Sequence, residues 1–102
     1  KLKKDAEILQ EAGVFSLVLE KIPAQLASEV SKLLKIPVIG IGAGRDTDGQ
    51  VLVLHDMLGI TQEFSPRFLR RYANLYETVT MAVAHYISDV KKEDFPNEKE
   101  EY

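Results

Sequence analysis

Residues 36–59 read IPVIGIGAGRDTDGQVLVLHDMLG, and the fold turns on how the two apolar runs in this stretch pair. Val38 to Ile41 has the length and β-branched content of a buried strand, and Val51 to Asp56 reads as another. Val38 to Ile41 and Val51 to Leu54 are continuously apolar, as in parallel sheets, rather than alternating. The loop between them, Gly42 to Gln50, is glycine-rich and carries two aspartates. It is short for the helical crossover that parallel neighbours use, so local rules also admit a hairpin here.

Upstream, Leu2, Ala6, Ile8, Leu9 and Ala12 recur at near-helical spacing, and Gly13 supplies a residue suited to closing a helix over 2–12. Val14 to Leu19 follows as a strand expected to be buried on both faces, with Glu20 at its end. Pro23 suits a first helical turn, and Leu26, Val30, Leu33 and Leu34 form a stripe that stops near Lys35 and Pro37. Downstream, Ser65 and Pro66 form a cap and a first-turn proline. Phe68, Tyr72, Leu75, Tyr76, Val79, Val83, Tyr86, Ile87 and Val90 then make a long helical stripe. The order helix, strand, helix, strand, strand, helix predicts an α/β architecture with helices on both sides of the sheet. Residues 1–90 form the folded segment. Residues 91–102 form a charged tail, mobile or ordered by a neighbour, with Phe95 and Tyr102 its only anchors.

A chain of 102 residues has room for one core. Apolar residues make up 45% and charged residues 28%, as in soluble globular proteins, and no apolar run approaches the roughly 20 residues of a membrane span. Net charge is −3, with four Phe and four Tyr and no dense basic patch, which argues against a nucleic-acid partner. A small acidic or neutral metabolite fits better. The absence of cysteine excludes disulfide frameworks, thiol nucleophiles and thiolate metal sites, in keeping with a cytoplasmic location. No signal peptide is expected at the amino terminus, because Asp5, Glu7 and Glu11 interrupt the apolar run. The start on Lys1 points to a processed product or a piece of a longer chain.

Glu20 is the sharpest single candidate. Ser16, Val18 and Glu20 share one strand face, and Phe15, Leu17 and Leu19 share the other. In a barrel the second face would meet the helices, and Glu20 would point inward at the carboxyl end of its strand, where α/β barrels keep their chemistry. There it serves either as a general base or as a solvated strand end. Gly40, Gly42 and Gly44 space as G-x-G-x-G. A dinucleotide fingerprint needs G-x-G-x-x-G, so a tight turn or close backbone approach explains them better. Asp46 and Asp48 imitate the start of a calcium loop, but the required sixth-position glycine is Val51. His55 and Asp56 close the third expected strand, where alternation would point them to opposite faces. His85 lies off the apolar stripe of the long helix and is expected at the surface.

Together, AGVFSLVLEKIPAQLA, IPVIGIGAGRDTDGQVLVLHDMLGIT, SPRFLRRYANL and DVKKEDFPNEKEEY resemble, in order, the carboxyl-terminal part of the ketopantoate hydroxymethyltransferase family. The resemblance implies about three strands of a (β/α)8 TIM barrel of the phosphoenolpyruvate/pyruvate type, which makes the last strands parallel. It further implies transfer of a hydroxymethyl group from 5,10-methylenetetrahydrofolate to 3-methyl-2-oxobutanoate in pantothenate biosynthesis, giving 2-dehydropantoate. A magnesium ion would hold the keto acid, and Glu20 matches the family's proton acceptor. Partners on this view are the keto acid and the folate, within a cytoplasmic homo-oligomer. The metal ligands and the substrate-binding serine and lysine fall in the amino-terminal half of the barrel, which no segment here matches. Because a full barrel takes about 250 residues, the chain by itself is expected to be inactive. The carboxyl terminus departs from the family's F-P-G-E-E-H ending. Alternatives are a lyase or mutase of the same barrel superfamily, or a non-catalytic half-barrel module that folds by pairing.

Overall fold

The first helix, α1 (Leu2–Glu11), ends where Gly13 takes a φ of 97° and the Val14 N–H donates to the Leu9 carbonyl at 3.4 Å. In the computed structural model, which describes residues 1–102, that closure delays the first strand. Strand β1 is Leu17–Glu20, not Val14–Leu19, and Phe15 lies outside it, 89% exposed. Helix α2 (Ala24–Leu33) and strand β2 (Val38–Ile41) follow as expected, then a two-residue strand β3 (Gly49–Gln50), a one-turn helix α3 (Leu54–Met57) and helix α4 (Leu75–Lys91). The residues pack as two units, Lys1–Val53 with Pro66–Leu69, and Leu54–Ser65 with Arg70–Tyr102.

In the first unit the sheet order is β1-β2-β3, parallel throughout. Leu17 pairs with Val38 and Leu19 with Gly40, so these four residues share a face. Leu19 and Val38 join Ala6 of α1 and Ala27 and Val30 of α2 in one buried cluster. Taking a valine such as Val30 fully out of water contributes about 1.5–3 kcal/mol. Both helices thus cover the same side of the sheet, not opposite sides as the apolar strands suggested. The other face, with Val18 and Glu20 beside Ile39 and Ile41, is uncovered by either helix, and Val18 is 59% exposed. Gln10 of α1 fastens the entry to β2, its Oε1 accepting the N–H groups of Lys35 at 2.6 Å and Ile36 at 3.2 Å.

A parallel β3 after so short a loop is possible because the chain first doubles back along β2. Its return leg crosses Gly40 closely: a Cβ on Gly40 would lie 2.9 Å from Thr47 Oγ1. Asp48 then pairs with Val38 in both directions, its N–H donating to the Val38 carbonyl at 2.9 Å and its Oδ2 accepting the Val38 N–H at 2.8 Å. The same carboxylate accepts the Ser31 hydroxyl of α2 at 3.2 Å. The hairpin is therefore absent, and the third strand covers Gly49–Gln50 rather than Val51–Asp56.

In the second unit, α4 begins at Leu75 and not after Pro66. The N–H groups of Tyr72, Leu75 and Tyr76 donate to the carbonyls of Met57, Leu58 and Gly59 at 2.8–3.1 Å. The Leu58 and Gly59 carbonyls satisfy the first two N–H groups of α4, replacing the side-chain cap that Asn74 does not make. Arg71 donates to the carbonyls of Thr61, Gln62 and Phe64 and ties down the intervening loop. At the far end, Phe95 packs edge-on against Tyr86 with ring centroids 5.6 Å apart, so residue 95 is anchored within the expected tail.

Candidate functional site

The carboxyl ends of β1 and β2 lie side by side, and there the first unit gathers its polar and glycine-rich residues. Glu20 pairs with Ile41 at the last register position of β1. Strand alternation sets it opposite Leu19, on the face the helices leave uncovered, and its side chain is exposed. Lys21 then takes a φ of 52°, a left-handed conformation uncommon outside glycine, while its N–H still donates to the Ile41 carbonyl at 2.9 Å. That turn swings the chain off the sheet towards Pro23, which opens α2.

Across from it, the loop after β2 is built on glycine. The Phe68 ring lies over Gly42, and Gly44 (φ 78°) lies against Ala24, where a Cβ would come within 2.5 Å. Gln50 braces the loop, its Nε2 donating to the Gly44 carbonyl at 2.8 Å and to Thr47 Oγ1 at 3.1 Å. Between the start of α2, this loop and Arg67–Phe68 opens a cavity of about 640 Å³. Lys21 and Arg67 are among its lining residues, and Glu20 is not. Its position at the carboxyl ends of parallel strands is where open α/β sheets bind ligands.

The remaining sequence candidates separate. His55 and Asp56 sit in the single turn of α3, not at a strand end; Asp56 is 8% exposed and His55 is exposed. Their carbonyls accept the N–H groups of Ile60 and Gly59 that close this turn. His85 is exposed on α4. Asp48 is occupied with Val38 and Ser31, and no three His, Asp or Glu side chains converge as a metal-binding group would require. Sequence reasoning passed over Lys21, Arg67 and Phe68. Arg67 and Phe68 fall in the helical pattern that starts at Pro66, whereas α4 starts at Leu75, and the available signal is the lysine directly following a strand-end acid.

Residues 1–98 match the family described as ketopantoate hydroxymethyltransferase. The chain belongs to that family. Among curated relatives it is 70% identical over all 102 of its residues to the 3-methyl-2-oxobutanoate hydroxymethyltransferase of Parabacteroides distasonis, of which it covers 37%. It is 68% identical to the enzyme of that name from Bacteroides fragilis, again covering 37%. With the Flavobacterium johnsoniae protein of the same name it shares 62% identity, covering 38%. The chain therefore spans little more than a third of the length of the curated relatives it matches, and it corresponds to their carboxyl-terminal portion. Glu20, Lys21, the glycine loop, Arg67 and Phe68 all lie within the family match. No helix in the chain is long and apolar enough to cross a membrane.

Proposed function

We propose that this chain is the carboxyl-terminal part of a (β/α)8 barrel enzyme that converts 3-methyl-2-oxobutanoate to 2-dehydropantoate, with 5,10-methylenetetrahydrofolate as one-carbon donor and Glu20 as base. The observation that carries the reading is the family match over residues 1–98, reinforced by relatives of that activity at 62–70% identity. The strand arrangement supports it. In a closed barrel the face bearing Val18, Glu20, Ile39 and Ile41 would turn inward, leaving Glu20 at the carboxyl-terminal rim where such barrels react.

The chemistry asks for a base at that rim. The C3–H bond beside the keto group breaks, its proton passes to the Glu20 carboxylate, and C3 forms a new C–C bond to the one-carbon unit. Water hydrolyses the methylene bridge, breaking its two C–N bonds: its oxygen becomes the hydroxyl oxygen, and tetrahydrofolate leaves with both nitrogens protonated. Apolar neighbours such as Val18 and Ile41 would exclude water from the carboxylate once the face is covered. The residues of this chain do not by themselves fit a magnesium ion, since no three ligating side chains converge. On the family resemblance, the ligands of that ion are expected in the length of the relatives that this chain does not span.

The test is exchange of the C3 proton of 3-methyl-2-oxobutanoate into deuterated water, followed by NMR in the complete enzyme carrying Glu20→Gln. Loss of about two to four decades of rate is expected for a removed general base. Near-normal exchange would refute the assignment.

A further inference from the structure

Lys21 and Arg67 line a cavity at the carboxyl ends of β1 and β2, and no acidic residue lines it with them. In a chain of net charge −3, two cations facing one cavity without an acid mark a local reversal of sign. Neither takes part in an ion pair, the chain's ion pair being Lys3 with Glu29. A third source of positive potential is the start of α2, where Pro23 makes no side-chain cap bond and Ala24 borders the cavity. The first N–H groups of a helix are unpaired within it and favour a nearby anion. The remaining wall is apolar, formed by Ile22, Pro23 and the Phe68 ring. At about 640 Å³ the space falls in the range, about 300–1,000 Å³, that encloses ligands of drug size. A small keto acid would fill only a fraction of it.

We propose that this cavity is the subsite for the aromatic, carboxylate-bearing part of the folate co-substrate, with Phe68 and Ile22 against its ring and Lys21 and Arg67 on its carboxylates. This rests on the function proposed above and assigns residues to a ligand that the function leaves without a site. Glu20, the residue before Lys21, acts on the opposite partner, the keto acid. The left-handed turn at Lys21 is what sends two consecutive side chains to two different substrates.

The experiment uses the complete enzyme with Arg67→Ala, Arg67→Lys and Lys21→Gly, the glycine being free to keep a φ of 52°. Arg67→Ala and Lys21→Gly should each raise the KM for 5,10-methylenetetrahydrofolate about ten-fold, which corresponds to about 1.4 kcal/mol of lost binding. Arg67→Lys should recover part of the loss. The KM for 3-methyl-2-oxobutanoate and the folate-independent C3 proton exchange should not change. 4-Aminobenzoylglutamate should compete with the folate and not with the keto acid, and should bind the two charge-removing variants more weakly. An unchanged folate KM, or an equal rise in the keto-acid KM, overturns the subsite. A wild-type enzyme with no folate-dependent turnover would instead overturn the transferase itself and the subsite with it.

Discussion

Replacing Asp48 separates a structural carboxylate from a ligand-binding one. Its Oδ2 accepts the Val38 N–H at 2.8 Å and the Ser31 hydroxyl at 3.2 Å, and Val38 is fully buried. Strand β3 begins only at Gly49, so no neighbouring carbonyl stands where the ladder would offer one to Val38, and the carboxylate completes it. A hydrogen bond to a charged group contributes about 1.5–3 kcal/mol and a neutral one about 0.5–1.5 kcal/mol. Asp48 is itself exposed, and water can replace part of what it provides, which draws the expected loss for Asp48→Ala to about 2–3 kcal/mol. Asp48→Asn retains an acceptor oxygen and should lose less than about 1 kcal/mol. The assay is native-state hydrogen exchange at the amides of Val38, Asp48 and Val51, the last of which donates to the Gly40 carbonyl at 3.0 Å. Protection should fall by about 30–150-fold in the alanine variant, from about 1.4 kcal/mol per decade, and by less than about five-fold in the asparagine variant. Equal protection in wild type and Asp48→Ala, or equal damage from both variants, would show that the carboxylate does not hold the return leg.

Gly59→Ala should unlatch the start of α4: at φ 70° a Cβ would lie 2.2 Å from the Ala73 carbonyl oxygen, and the left-handed conformation alone costs about 1–2 kcal/mol. Hydrogen exchange at Leu75 and Tyr76 should accelerate at least ten-fold, and unchanged rates would refute the latch. Glu29 is held below the ordinary glutamate value of 4.5 chiefly by the hydrogen bond from Lys3 and by the charge of that lysine. Because the folded value is the lower one, its small contribution to stability is present above 4.5 and disappears as pH falls through the lowered value. An NMR titration should show the Glu29 midpoint below 4.5 and its return towards 4.5 in Lys3→Met; a midpoint indifferent to Lys3 would refute the pairing.

Sequence pattern resolved the elements whose ends are set by their own residues. Helix α2 lies between Pro23 and Leu34, where its stripe placed it, and β2 occupies Val38–Ile41 as read. Prediction failed where a distant chain segment takes over a hydrogen-bonding group. The helix read from Pro66 starts instead at Leu75, because the carbonyls of Met57, Leu58 and Gly59 claim the N–H groups of Tyr72, Leu75 and Tyr76. The run VLVLHDML carries a strand pattern through Asp56, but short apolar runs fit either state, and residues 54–57 coil into α3. The parallel pairing of β2 and β3 was beyond local rules for the same reason. It depends on Asp48 reaching Val38 and on Gly40 lacking a side chain where Thr47 crosses, neither of which is a spacing in the sequence.

The candidate site divides along similar lines. Glu20 was legible because strand alternation alone sets it opposite Leu19, and Leu19 is buried under the helices. The cavity was not, because it joins residues 21–24, 42–44 and 67–68, which only the turn at Lys21 and the seating of Phe68 over Gly42 bring together. The uncovered sheet face then connects the two. Val18 stands 59% exposed beside Glu20, and covering a valine yields about 1.5–3 kcal/mol at most, so whatever closes over that face both stabilises the sheet and dries the carboxylate. Under the barrel reading, the same closure would leave the cavity with Lys21 and Arg67 at the rim. The acid would then face the dry interior and the cations the larger, charged ligand, a division of labour set by one change of backbone conformation between Glu20 and Lys21.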